Sequence, residues 1–107
     1  MRLSDADGRL LRVNDAICRM LGRSRDQLLA MTFTEYTHPQ DAEEDATPYA
    51  RQVAGELDSY MLRKRASQAD GTTVYLDIHS SSVRDASGGF RYGVRVIQDV
   101  TSKHMED

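Results

Sequence analysis

The chain has 107 residues, enough for one modest hydrophobic core and too few for two. Apolar residues make up 39% and charged residues 29%, the balance of a folded globular domain rather than a disordered chain. A formal charge of -3 gives no overall attraction to nucleic acid. The single cysteine, Cys18, excludes an internal disulfide and fits a cytoplasmic setting, and no apolar run approaches the ~20 residues of a membrane span, so direct membrane contact is not expected.

The opening residues place Asp7-Gly8 between two short mixed runs, a hairpin signal in which Leu11 and Val13 share one face of the second strand. Asn14 stands at a helix N-cap. Ile17, Met20 and Leu21 follow at helical spacing, and Gly22 closes that helix. Ser24 with Gln27 and Thr32 with Glu35 have capping-box spacing, which predicts two more short helices, with Leu28, Leu29, Met31, Phe33 and Tyr36 as their apolar contacts.

His38-Pro39 starts another helix, because proline suits the first turn, and Asp41, Glu43, Glu44 and Asp45 crowd its positive end. Thr47-Pro48 reads as the cap and first residue of a further helix, carrying Tyr49 and Val53 on one face and ending near Gly55. From Leu57 the pattern becomes extended. Three runs, separated by Asp70-Gly71 and by residues 85–89, predict an antiparallel meander. The basic triplet Arg63-Lys64-Arg65 falls in the first of these runs. Neighbouring side chains of a strand point to opposite faces, so the three cannot form one nucleic-acid patch. Strands at both ends of a helical middle predict an α+β fold, one sheet with helices on one face.

In this order the residues resemble the PAS family along nearly the whole chain. Asp7-Gly8-Arg9 with Val13-Asn14-Asp15-Ala16 resembles the family's first hairpin and the start of its first helix, and Leu21-Gly22-Arg23-Ser24 with Gln27-Leu28 resembles its "LGyxxxEL" segment. His38-Pro39-Gln40-Asp41 matches "HPxD", Asp70-Gly71 the turn before the penultimate strand, and Asp99-Val100-Thr101 the terminal "DIT". Tyr75 stands where many members carry Trp.

The resemblance implies a PAS fold: a five-stranded antiparallel sheet in order 2-1-5-4-3, with short helices on one face that often enclose a small cavity. It implies residues 1–101 as the domain, with a first strand shorter than the family's usual one, and residues 102–107 as the start of a helical linker capped by Thr101. The implied function is a sensory domain of a multidomain signalling protein. Such a domain binds a small molecule, or relays a signal through Asp99 and Thr101, toward an effector in the same chain such as a histidine kinase or diguanylate cyclase. The alternative is a ligand-free dimerisation or protein-interaction module.

Catalytic and cofactor chemistry find little support. The histidines His38, His79 and His104 are scattered, and His79 with Asp77 reads as a solvated strand face rather than an acid-base pair. Covalent flavin chemistry in this family needs a cysteine near positions 31–37, where the chain reads Met-Thr-Phe-Thr-Glu-Tyr-Thr. Haem binding needs an axial histidine on the helix before the third strand, where none occurs.

The resemblance also sets a strand register. Aligned from Asp99, Ile97, Arg95 and Gly93 face the helices, together with Leu76 and Ile78 and with Tyr60, Leu62 and Lys64. Val94 and Val96 then face outward, where the family's sheets dimerise or receive a flanking helix; the opposite register would put them in the core and Arg95 in solvent. In the favoured register Met20, Met31 and Tyr36 join the cavity candidates. Lys64 and Arg95 require an anion, supplied by a carboxylate-like ligand or by an internal acid such as Glu35.

Overall fold

The computed structural model describes residues 2–102. Two strands, β1 (Arg2–Ser4) and β2 (Leu10–Val13), precede three helices, α1 (Asp15–Leu21), α2 (Arg25–Leu29) and α3 (Pro39–Val53). Strands β3 (Ser59–Ser67), β4 (Thr73–Arg84) and β5 (Phe90–Asp99) complete one antiparallel sheet in the order β2-β1-β5-β4-β3. The last strand lies at the centre of the sheet.

The first hairpin turns as its residues demand. Asp5 Oδ1 accepts from the amides of Asp7 and Arg9, and Gly8 adopts φ +81°. The register shifts by one residue, with Leu3 opposite Arg12 and Ser4 opposite Leu10. That bulge corrects the expected facing of β2: Leu10 and Val13 are buried, and Leu11 is exposed.

Helix α1 has the expected caps. Asn14 accepts from the Ile17 amide, and Gly22 ends the helix in the left-handed conformation. Ser24 and Gln27 form a reciprocal capping box on α2. Thr32 and Glu35 do not start a helix. The Thr32 hydroxyl donates to Glu35 instead of accepting a backbone amide, and bridges at Thr32 and Thr37 pin both ends of the four-residue segment of turns between them.

Helix α3 also departs from expectation, since it runs unbroken through Pro48 for 15 residues. His38 caps it, its Nδ1 accepting from the Gln40 amide, and Pro39 occupies the first turn. Asp41 accepts from the backbone amide and guanidinium of Arg65, which ties the first turn of α3 to β3. Side-chain hydrogen bonding to Arg65 holds the Asp41 carboxyl at about 2, against the smaller upward effect of burial.

The core between sheet and helices includes Leu10, Ile17, Leu21, Leu28, Phe33, Tyr36, Tyr49, Leu76 and Ile78. At Gly93 a side chain would put its Cβ 2.9 Å from the Tyr49 ring, so glycine on β5 is what lets α3 lie this close. The Tyr49 hydroxyl donates to the carbonyls of Ser4 and Asp5, joining α3 to β1.

Candidate functional site

The buried face of α3 is polar. Asp45, Tyr49 and Gln52 recur at spacings of four and three residues, and all three are buried. Gln52 donates to the carbonyls of Asp58 and Ser80 and accepts from the Ser80 hydroxyl, which fixes the end of the helix to β4. Asp45 lies two turns earlier, over β3 and β5.

There it meets two cations. Asp45 Oδ2 accepts from Lys64 Nζ at 2.6 Å and from Arg95 Nη2, and exposure is 0% for Asp45, 1% for Lys64 and 0% for Arg95. Tyr60 links the group, its hydroxyl donating to Asp45 Oδ1 and accepting from Arg95 Nη1 at 2.8 Å. Lys64 also donates to the Thr37 hydroxyl, and Arg95 to the Ser80 hydroxyl. Aromatic rings supply further compensation: the Arg95 guanidinium lies 4.2 Å from the Phe33 centroid, and Lys64 Nζ lies 5.2 Å from that of Tyr36.

Burial alone would push the Asp45 carboxyl up. The charges of Arg95 and Lys64, with the hydrogen bonds from Lys64 and Tyr60, outweigh it and hold the group well below the usual carboxylate range. Tyr60 moves the other way, raised first by burial and then by the Asp45 charge, against the lowering effect of Arg95. Asp45 is therefore held as a carboxylate beside the Arg95 guanidinium, with Tyr60 as a neutral bridge.

The structure brings Tyr60, Lys64 and Arg95 together, with Tyr36 against them. Leu76, Ile78 and Ile97 are buried in the apolar core, while Met20, Met31 and Leu62 are half-buried at its margin. The acid beside Lys64 and Arg95 is Asp45, not Glu35, which is exposed and bonded to Thr32. Reading Asp45 as one of several first-turn acids and restarting the helix at Pro48 hid it. The signal was present in the repeat Asp41, Asp45, Tyr49, Gln52 along one continuous helix.

On β3, Arg63 and Arg65 turn away from the triad and pair with Asp77 and Asp41. Asp77 is thus engaged with Arg63, and His79 is exposed on the outer face of the sheet. Val96 is exposed there as well.

At the end of β5, Asp99 Oδ1 accepts from the amide and hydroxyl of Thr101. The Thr101 hydroxyl accepts from the Tyr75 amide, and the Val100 amide donates to the Tyr75 carbonyl. This latch reverses the expected capping role. Thr101 is already helical, and Asp99 holds its amide. The expected helical linker beyond Ser102 lies outside the described residues.

A family model for the PAS fold matches residues 2–105. The chain belongs to the PAS family. This PAS domain is 31% identical over 100 residues to a probable diguanylate cyclase of Escherichia coli, covering 94% of this chain and 9% of that protein. It is 26% identical to the C4-dicarboxylate transport sensor protein of Rhodobacter capsulatus, covering 94% and 16%. The PAS domain thus spans less than a fifth of either curated relative, at 9% and 16% of their lengths. Among solved structures, the N-terminal domain of a diguanylate cyclase with PAS/PAC sensor from Marinobacter aquaeolei superposes with a TM-score of 0.82 at 20% identity, covering 96% of this chain and 95% of that one. Among the described residues, no helix is long and apolar enough to cross a membrane.

Proposed function

We propose that this PAS domain is a relay module of a larger signalling polypeptide, closed inside by its own ion triad and passing changes there to an effector in the same chain. The observation that carries this reading is the layout of β5. Arg95, the cation that joins α3 to the sheet, and Asp99, the acceptor of the terminal latch, lie on one strand four residues apart, a rise of ~13 Å. A displacement of α3 against the sheet therefore loads the strand that leads to the latch. The homologous diguanylate cyclase and transport sensor support an effector of the signalling-enzyme class.

The test is a chimaera in which this chain replaces the matching segment of the Escherichia coli diguanylate cyclase. Tyr60→Phe removes the bridging hydroxyl and leaves all three charges in place. It should change cyclic di-GMP output several-fold, while an unchanged output from the folded variant overturns the relay.

A second reading concerns assembly. The outer face of the sheet exposes Met61 at 76% and Val96 at 52%, flanking a groove of about 500 Å³ lined also by Arg63, Asp77, His79 and Gln98. An apolar strip on an otherwise polar sheet face suits pairing with a second copy or with a flanking helix. Sedimentation of the domain, compared with Met61→Lys and Val96→Glu variants, tests the homodimer directly.

A further inference from the structure

Helix α3 carries a proline in its interior. Pro48 has no backbone N–H, so the Glu44 carbonyl four residues earlier lacks its intrahelical donor, and Glu44 is exposed, where water can take that place. A proline inside a helix is one of the few recurrent origins of a bend.

The ties between α3 and the rest of the domain divide around this turn. On the N-terminal side, the His38 amide donates to the Arg65 carbonyl, Asp41 accepts from Arg65, and Asp45 accepts from Tyr60, Lys64 and Arg95. These partners belong to β3 and β5. On the C-terminal side, the Tyr49 hydroxyl donates to the carbonyls of Ser4 and Asp5, Gln52 donates to those of Asp58 and Ser80, and Arg84 Nη2 donates to the Gln52 carbonyl. These partners belong to β1, to β4 and to the segments next to β1 and β3. Every one of these bonds falls at or before Asp45, or at or after Tyr49. A pocket of about 140 Å³ lies beside Ala46, Tyr49 and Ala50, so the middle of the helix is not packed solid on that flank.

We infer that Pro48 is a hinge that divides α3 into two units: residues 39–47, which move with the ion triad, and residues 49–53, which stay docked on β1 and β4. Loosening the triad then frees the first unit without freeing the second, because one of the backbone hydrogen bonds that would couple them is missing. The hinge goes beyond the relay reading above and does not depend on it, whereas its use in signalling does.

Amide hydrogen exchange of the chain, followed by NMR, reads the two units separately. Tyr60→Phe removes the bridging hydroxyl and leaves every charge in place. In that variant the amides of residues 43–47 should exchange about tenfold faster, the equivalent of one ordinary hydrogen bond, while those of Gln52, Val53 and Ala54 keep their parent rates. Combining it with Pro48→Ala restores the missing donor and should spread the acceleration over both units. Acceleration that is absent from residues 43–47 of Tyr60→Phe, or equal in both units, overturns the hinge. So does a difference between the units that persists unchanged in the double variant. Unequal exchange together with a chimaera whose cyclase output ignores Tyr60→Phe would leave the hinge standing and remove the relay. An output that follows Tyr60→Phe with equal exchange in the two units would do the reverse.

Discussion

Asp45 and Arg95, fifty residues apart in sequence, meet as a hydrogen-bonded ion pair from which solvent is excluded on every side. Such a pair is weak evidence for stability, because the desolvation of both ions offsets most of their attraction; removing one partner is costly because the other stays buried. Asp45→Asn should therefore lower the unfolding free energy by about 3–5 kcal/mol in urea denaturation. Replacing all three charges together, with Asp45→Leu, Lys64→Met and Arg95→Met, should bring stability back to that of the parent or above it. If the triple variant is as unstable as Asp45→Asn, the charges contribute more than they cost.

Gly93→Ala tests the approach of α3 to the sheet. The new Cβ meets the Tyr49 ring at 2.9 Å, so the helix must retreat, at about 1–3 kcal/mol for overpacking. Combining it with Tyr49→Leu should reduce the penalty, and a double-mutant cycle by chemical denaturation reads the coupling. Additive effects would place the strain elsewhere.

Acid should loosen the domain through Asp41 and Asp45. Both carboxyls are held below their unfolded value, near 3.9 for an aspartate, so the stability they contribute is present above about pH 4 and is lost as pH falls toward their folded values, about 2 for Asp41. Urea midpoints measured from pH 5 down to pH 3 should decline, and the slope should flatten in Asp45→Asn. A midpoint that is constant over this range would contradict an ionised Asp45.

The latch makes a separate prediction. Asp99→Ala removes the acceptor for the Thr101 amide and hydroxyl. Hydrogen exchange at Thr101 and Val100 should accelerate while the melting temperature of the domain barely moves. In the cyclase chimaera, output should no longer respond to substitutions in the triad. Retained coupling would assign the relay to another path.

Much of the fold was legible because local chemistry agreed with the final structure. Asn14, Ser24 and His38-Pro39 mark helix starts and Gly8, Gly71 and Gly88 turns, whereas alternation left two registers open and the family resemblance chose the one that places Lys64 and Arg95 inward. The failures share a cause: each depends on a pairing or contact outside the segment itself. Thr32 and Glu35 have capping-box spacing, but bridges to Arg9 in the first hairpin and from Thr37 to Ala66 on β3 leave their segment no room to become a helix. Pro48 looks like a helix start, yet the turns around it are held by Arg65, Lys64, Arg95 and Ser80, and these contacts outweigh one missing hydrogen bond. The bulge in β2 follows from its pairing with β1, so the exposure of Leu11 could not be read from alternation alone. The triad acid was obscured for the same reason. Its identity depends on the face that one continuous α3 presents to β3 and β5.

The strand order has a consequence for synthesis on the ribosome. β5 is the last strand to emerge, yet it alone joins the β1-β2 pair to the β4-β3 pair. Until it arrives, no strand bridges the β1-β2 pair and the β4-β3 pair, and Asp45 lacks Arg95 as a partner. Translation of the final strand therefore completes the sheet and delivers the second buried cation in one event, so a chain released before residue 95 lacks both the sheet's central strand and the ion that fastens α3 to it.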